Sequence, residues 1–222
     1  MKIAILSDIH GNFEALKSVW ADIEKNDVDN IVCLGDMIGY GPEPEAVVSF
    51  IIEKGIISIV GNHELGLLDD TRLIDMSEDA SASILITRKL ISNDALSYIK
   101  QLPRRYILND MLFVHGMPPD SATTYLNWLD DGEIVSRMNT VEQRMVFVGH
   151  THRPICYSFD KIDLDVIFLQ EGIIQLSRDT NYIVNVGSGR ECGPRTGHDH
   201  LCKQHGCLHD SLCAVLSADA HR

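Results

Sequence analysis

The sequence predicts an α/β fold built around a parallel β-sheet, with a second sheet supplied by the C-terminal half. Three observations carry that reading. Through the first sixty residues, short apolar runs alternate with segments of helical periodicity, the pattern of strand–helix–strand units with right-handed crossovers. Beyond residue 103, closely spaced strand-like runs replace the long helical ones, starting with two that flank Asn109-Asp110, a good two-residue hairpin turn. Most of the buried-strand patterns, moreover, stop at a cluster of Gly, Asp, Asn or His, and strand carboxyl ends are where such folds collect ligands.

Lys2 to Ser7 reads as a fully buried strand ending at Asp8-Ile9-His10-Gly11-Asn12. Taken as extended, this segment points Asp8 and His10 to one side. Gly11 permits the turn that follows, and Asn12 caps a helix in which Phe13, Leu16, Val19, Trp20 and Ile23 form one apolar face. Asn30 to Leu34 is the second strand, ending at Gly35-Asp36. A Gly/Pro-rich loop leads to a helix from about Pro44 to Lys54, and Ile56 to Val60 is a third strand ending at Gly61-Asn62-His63-Glu64. Residues 65 to 102 read as helical, with helices at 78–91 and 94–102 stopped by Pro103, in the manner of a cap over a pocket. The hairpin of 104–108 and 111–114 delivers His115-Gly116. A helix over 131–141 precedes a strand at 145–148, which ends at Gly149-His150-Thr151-His152-Arg153. Runs at 155–159, 164–169, 173–176 and 182–186 follow with meander spacing.

With 222 residues and no Pro/Ser-rich linker, a single domain is the better expectation. The net charge of −13 argues against a nucleic-acid backbone or an anionic membrane surface as partner, and it means that a site for anionic substrates needs metal. No apolar stretch reaches the length of a spanning helix, and the run after Lys2 is too short for a signal-peptide core, so the expected compartment is the cytoplasm. Cys33 and Cys156 lie in apolar strands and read as buried thiols.

The strand-end residues Asp8, His10, Asp36, Asn62, His63, His115, His150 and His152 offer oxygen and imidazole donors without a thiolate. That set suits Mn²⁺, with Fe, Co, Ni or Zn as alternatives. Even with His63 left aside, the remaining seven are too many ligands for one catalytic ion. They suit two ions about 3.5–4 Å apart that share a carboxylate and a hydroxide. Singly, each residue has an ordinary explanation as a helix cap or turn residue; the ordered set does not.

Here the chain resembles the calcineurin-like metallophosphoesterase superfamily, in particular its small prokaryotic phosphodiesterases of the YfcE-like kind. The resemblance runs from Met1 to about Ser188, and leaves 189–222 as an atypical tail. It implies a four-layer αββα sandwich of two mixed sheets flanked by helices. It implies further that Asp8, His10 and His152 hold one ion, that Asn62, His115 and His150 hold the other, and that Asp36 bridges. His63 corresponds to the family's general acid, with Glu64 or another carboxylate to orient it. The implied function is hydrolysis of small phosphodiesters, nucleotides among them, by attack of a metal-bridging hydroxide.

The rivals are a phosphomonoesterase or protein Ser/Thr phosphatase, and a non-catalytic scaffold on the same fold. The phosphatases resembled carry Asp-Arg-Gly after their Gly-Asp motif; here the stretch is Gly35-Asp36-Met37-Ile38-Gly39, without the Arg. Gly61-Asn62-His63-Glu64, by contrast, is those phosphatases' own spelling. Candidate substrate contacts are Tyr40 and Arg153, then Arg88 and Tyr125. In the tail, His198, His200, Cys202, His205, Cys207, His209 and Cys213 crowd together, but their spacing matches no zinc pattern, and an altered reading frame or a divergent end fits the composition better. Only Leu212 to Leu216 reads as a strand there, which would leave the second sheet short of edge strands and open to homo-oligomer formation.

Overall fold

The computed structural model describes residues 1–160, 162–167 and 174–188, with the backbone of 213–217. Strands β1 (Lys2–Leu6), β2 (Asn30–Cys33) and β3 (Ile57–Ser58) are parallel neighbours, joined by α1 (Phe13–Ile23) and α2 (Pro44–Glu53). Three further helices follow: α3 (Asn62–Leu68), α4 (Glu78–Leu90) and α5 (Asn93–Ile99). The hairpin of β4 (Arg105–Leu108) and β5 (Met111–Val114) opens the second sheet, and α6 (Asp131–Met138) leads to β6 (Met145–Val148). Strands β7 (Ile155–Phe159), β8 (Leu164–Ile167), β9 (Asn181–Asn185) and β10 (Cys213–Ser217) complete the described elements.

Strand alternation builds the layers. Ile3 and Ile5 of β1 join Val32, Leu34 and Ile59 in facing Phe113, Phe147 and Val184 of the second sheet, while Ala4, Leu6 and Cys33 point the other way, toward Leu16, Val47, Ile51, Ile84 and Ile99 of the helices. On the far side of the second sheet, Leu112, Val114, Val146 and Val148 pack on Ile134 and Met138 of α6. Helix, sheet, sheet and helix therefore stack in the order αββα. Each fully buried large apolar side chain in these three cores contributes about 1.5–3 kcal/mol. Cys33 and Cys156 are buried free thiols, as expected.

The first sheet has the order β10-β1-β2-β3, with β10 antiparallel to β1. The apolar run of the tail is thus an edge strand of this sheet, and the second sheet takes its edges, β4 and β8, from hairpins earlier in the chain. The other His and Cys residues of the tail named above lie outside the described residues.

Three strand expectations are corrected. The second sheet has the order β4-β5-β6-β9-β7-β8, not that of a meander, because β9 inserts parallel to β6 and antiparallel to β7. Residues 174–176 form no strand. Both edges of β9 are already taken, and the adjoining Ser177 bonds to side chains, its N–H donating to Tyr182 Oη (2.9 Å) and its carbonyl accepting from Arg144 (3.0 Å). β3 is also shorter than expected, since the Val60 N–H turns to the Pro103 carbonyl. Among the described residues, no helix is long and apolar enough to cross a membrane.

Candidate active site

The loops that leave β1, β2, β3, β5 and β6 converge at one end of the two sheets. They do so through an unusual backbone: Asp8, His10, Asp36, His150 and His152 all have positive φ, between 51° and 66°. For a residue with a Cβ the left-handed region costs roughly 1–2 kcal/mol, and such conformations collect where function requires them. This corrects the reading of Asp8 and His10 as an extended pair. β1 ends at Leu6, and the loop beyond is tied to its neighbour by hydrogen bonds from Asp8 N to Gly35 O (3.1 Å), His10 N to Asp36 O (2.9 Å) and Gly11 N to Met37 O (2.8 Å). Gly11 turns with φ 67°, and Asn12 caps α1 by accepting from Ala15 N.

The side chains still meet. Asp8 Oδ1 lies 3.8 Å from His10 Nε2 and 3.2 Å from His152 Nε2, and those two nitrogens are 3.1 Å apart. Asp36 Oδ2 lies 3.3 Å from His115 Nε2, 3.8 Å from His10 Nε2 and 4.0 Å from His63 Nε2. Asn62 Oδ1 is 3.1 Å from His115 Nε2. Asp8, His10 and His152 can hold one cation, Asp36, His115 and His150 a second, and Asp36 also groups with His10 and His63. Backbone carbonyls fix the rings, since His10 Nδ1 meets Ile38 O (3.1 Å) and His115 Nδ1 meets Leu34 O (2.8 Å), leaving both Nε2 atoms aimed inward.

The electrostatics match a cation site. Burial pushes the Asp8 carboxyl up, but the approach of His152 and the charges of His115 and His152 outweigh it and hold the group at about 2. Burial likewise opposes ionisation of Asp36, whose pKa lies well below the ordinary value because of His115, His63 and His10. Burial lowers His10 to about 3 and His150 to about 4, so both are neutral, the form in which imidazole ligates. His115 goes the other way: despite burial, Asp36 and then Asp8 push it up to about 10, and a field that holds a proton there would also hold a cation. Among the described residues, Asp8 Oδ1 and His150 Nε2 are buried without a well-formed hydrogen bond. Each such atom costs about 1–3 kcal/mol unless a partner satisfies it. The oxygen and imidazole donors therefore fit divalent ions.

Glu64 is not the orienting partner of His63. Its fully buried carboxylate accepts from four backbone N–H groups, those of Asp36 (2.8 Å), Met37 (2.8 Å), Ile38 (3.3 Å) and Gly61 (2.9 Å), and so clamps the β2 and β3 loops together. Burial, then the charge of Asp36, pushes Glu64 up to about 7, against the pull of those N–H groups. Glu64→Gln has the same shape but one acceptor oxygen, and its amide N–H₂ would face donors. It is expected to lower unfolding stability by about 3 kcal/mol, read by denaturant titration; a change within 0.5 kcal/mol, about the effect of an ordinary surface substitution, would show that the clamp is dispensable.

His63 is buried at the start of α3, with its backbone N–H on Asp36 Oδ1 (2.9 Å) and its Nδ1 without a hydrogen-bond partner among the described residues. A side chain at Gly39, where φ is 87°, would run into its ring. Tyr40 is half-buried and lies edge-on to His10 and at an angle to His63, each with a centroid distance of 4.8 Å. Arg153 is exposed next to His152. Arg88 is structural, bonding to Gly66 O (2.9 Å) and Asp70 (2.5 Å) at the far end of α3. Tyr125 stacks on His150 at 3.7 Å.

Sequence reading missed the residues that hold the loops. Ser7 Oγ donates to Asp8 Oδ2, and a Cβ at Gly149 would collide with both. Asn185, fully buried, donates to Gly149 O (2.6 Å) and Thr151 Oγ1 (2.8 Å), thereby fixing the His150–His152 turn. A lone Asn closing the apolar run of β9 was the available signal.

Comparison with known proteins decides the family. Residues 1–161 match the calcineurin-like phosphoesterases. The chain belongs to that family. It is 32% identical, over 94% of its own length and 82% of the relative's, to the uncharacterized protein MJ0912 of Methanocaldococcus jannaschii. A metallophosphoesterase from Sphaerobacter thermophilus superposes with a TM-score of 0.71 at 28% identity, covering 85% of this chain and 77% of that one. A putative diadenosine tetraphosphatase shares the fold, with a TM-score of 0.51 at 20% identity over 84% and 83% of the two chains. As a calcineurin-like phosphoesterase, the chain belongs to a family of phosphoester hydrolases, and its clustered His and Asp residues are candidate metal ligands.

Proposed function

We propose that this phosphoesterase uses two divalent ions, with Mn²⁺ favoured over Fe, Zn, Ni or Co, to hydrolyse small phosphodiesters, nucleotides among them. The observation that carries the reading is the position of Asp36, within ligand distance of side chains from both candidate cation groups. Asp8, His10 and His152 would hold one ion and Asn62, His115 and His150 the other, with Asp36 between them. Bound there, the ions supply neutralisation of the phosphoryl oxygens and a water acidic enough to act as nucleophile near neutral pH. The protein supplies the rest. Glu64, Asn185 and the backbone carbonyls keep the donors in register, and Tyr40 and Arg153 are the proposed substrate contacts. His63 gives a proton to the leaving alkoxide. Burial lowers its pKa, with the charge of Asp36 pulling the other way, and an arriving anionic phosphoester adds to the upward pull.

Preference for diesters rests on the stretch Gly35 to Pro42, which lacks the Arg that a monoester's extra charge would call for. The test is hydrolysis of a chromogenic phosphodiester and its matching monoester by chelated protein before and after adding Mn²⁺. Metal-restored turnover favouring the diester is expected. Preference for the monoester would move the substrate to the phosphatase class, and no turnover by folded protein with any of the five metals would favour the scaffold reading.

A further inference from the structure

The loop between β5 and α6 carries aromatic rings that the hydrolytic chemistry does not use. Tyr125 stacks on His150, with a centroid distance of 3.7 Å and planes 25° apart, and Trp128 lies against Tyr125 at 4.2 Å. The run of rings starts at a candidate metal ligand and ends at an indole that is 74% exposed. The loop that presents it is built rather than slack. Gly116 N and Met117 N both donate to Ser121 O, Ser121 Oγ is 2.8 Å from Thr124 Oγ1 and accepts from Thr124 N, and Trp128 N donates to Tyr125 O. Ala122 and Leu126 are buried, with Leu126 anchored in the α6 core. Leaving a Trp ring in water sacrifices one of the largest burial gains a side chain offers, and here the ring stands against Tyr125, one ring away from the candidate ligand His150.

We infer that Trp128, backed by Tyr125, is a stacking platform for the base of a nucleoside phosphoester whose phosphate is held at the Asp36 centre. The inference rests on the phosphoesterase reading and narrows its substrate to nucleoside esters. Every base has a π-face, so the platform selects for a base without selecting among bases.

The test compares a nucleoside 5′-alkyl phosphodiester with the corresponding dialkyl phosphodiester. In wild type, kcat/KM favours the nucleoside ester. Trp128→Ala lowers that preference about tenfold, mainly through KM, while dialkyl turnover is unchanged, and Trp128→Phe keeps most of the preference. An unchanged ratio in Trp128→Ala overturns the platform and leaves the hydrolytic reading standing. A binding measurement decides the matter if neither ester is cleaved. AMP is expected to quench wild-type indole emission, ribose 5-phosphate is not, and the AMP effect disappears in Trp128→Phe, where Trp20 is the remaining indole. Quenching that is absent, or that survives in Trp128→Phe, overturns the inference.

Discussion

Replacing His63 with alanine is expected to lower kcat about 10²–10⁴-fold, the range for loss of a positioned proton donor, while the metal content is unchanged. His63 is 3% exposed, its backbone N–H is fixed on Asp36, and its Nε2 is 4.0 Å from Asp36 Oδ2, more distant than that of His115 or His10. It thus borders the cation site, at a longer reach from Asp36 than the candidate ligands. The defect should depend on the leaving group. An aryl ester, whose phenolate departs without a proton, should lose far less than an alkyl ester. Metal content by mass spectrometry and kcat for the two esters separate the outcomes. Equal losses for both would remove the proton-donor role, and loss of an ion would make His63 a ligand, in keeping with its grouping with His10 and Asp36.

What the sequence revealed of the fold follows from what periodicity encodes. Parallel strands buried on both faces read as unbroken apolar runs, so β1, β2 and β6 were visible, as were α1, α2 and the β4–β5 hairpin. Strand order was not, because β9 is as apolar as its neighbours and nothing local says that it inserts between β6 and β7. The donor residues were legible because a strand's carboxyl end is a fixed place in such a fold. Their backbone was not: positive φ at Asp8, His10, Asp36 and His150 goes with backbone hydrogen bonds to loops distant in sequence. The same cause hid the role of Glu64. Next to His63 it looked like a partner for the ring, whereas the first turn of α3 aims its carboxylate at N–H groups of two loops. Tyr125 and Trp128 sit in a stretch with no periodicity at all, and only folding lines them up with His150.

Asp36→Asn should have the widest consequences for the site. Asp36 Oδ1 accepts from His63 N, while Oδ2 approaches His115, His10 and His63. The amide keeps the shape and can still accept from His63 N, so α3 should stay in place. It removes the negative charge that both candidate cation groups share, and turns an N–H₂ toward His115, whose Nε2 needs an acceptor. Bound metal is expected to fall from two ions to one or none, and kcat to fall at least about 1000-fold, equivalent to the several kcal/mol that a metal supplies to a phosphoryl transition state. Metal-free stability should change little. Two buried carboxylates, Asp8 and Asp36, repel one another, and neutralising one offsets part of the bonding lost to His115. Metal stoichiometry and chelated-protein melting, measured on the same sample, distinguish this from general disruption. A variant that still binds two ions would show that Asp36 does not join them, and one that melts far lower without metal would show that its work is to hold the loops.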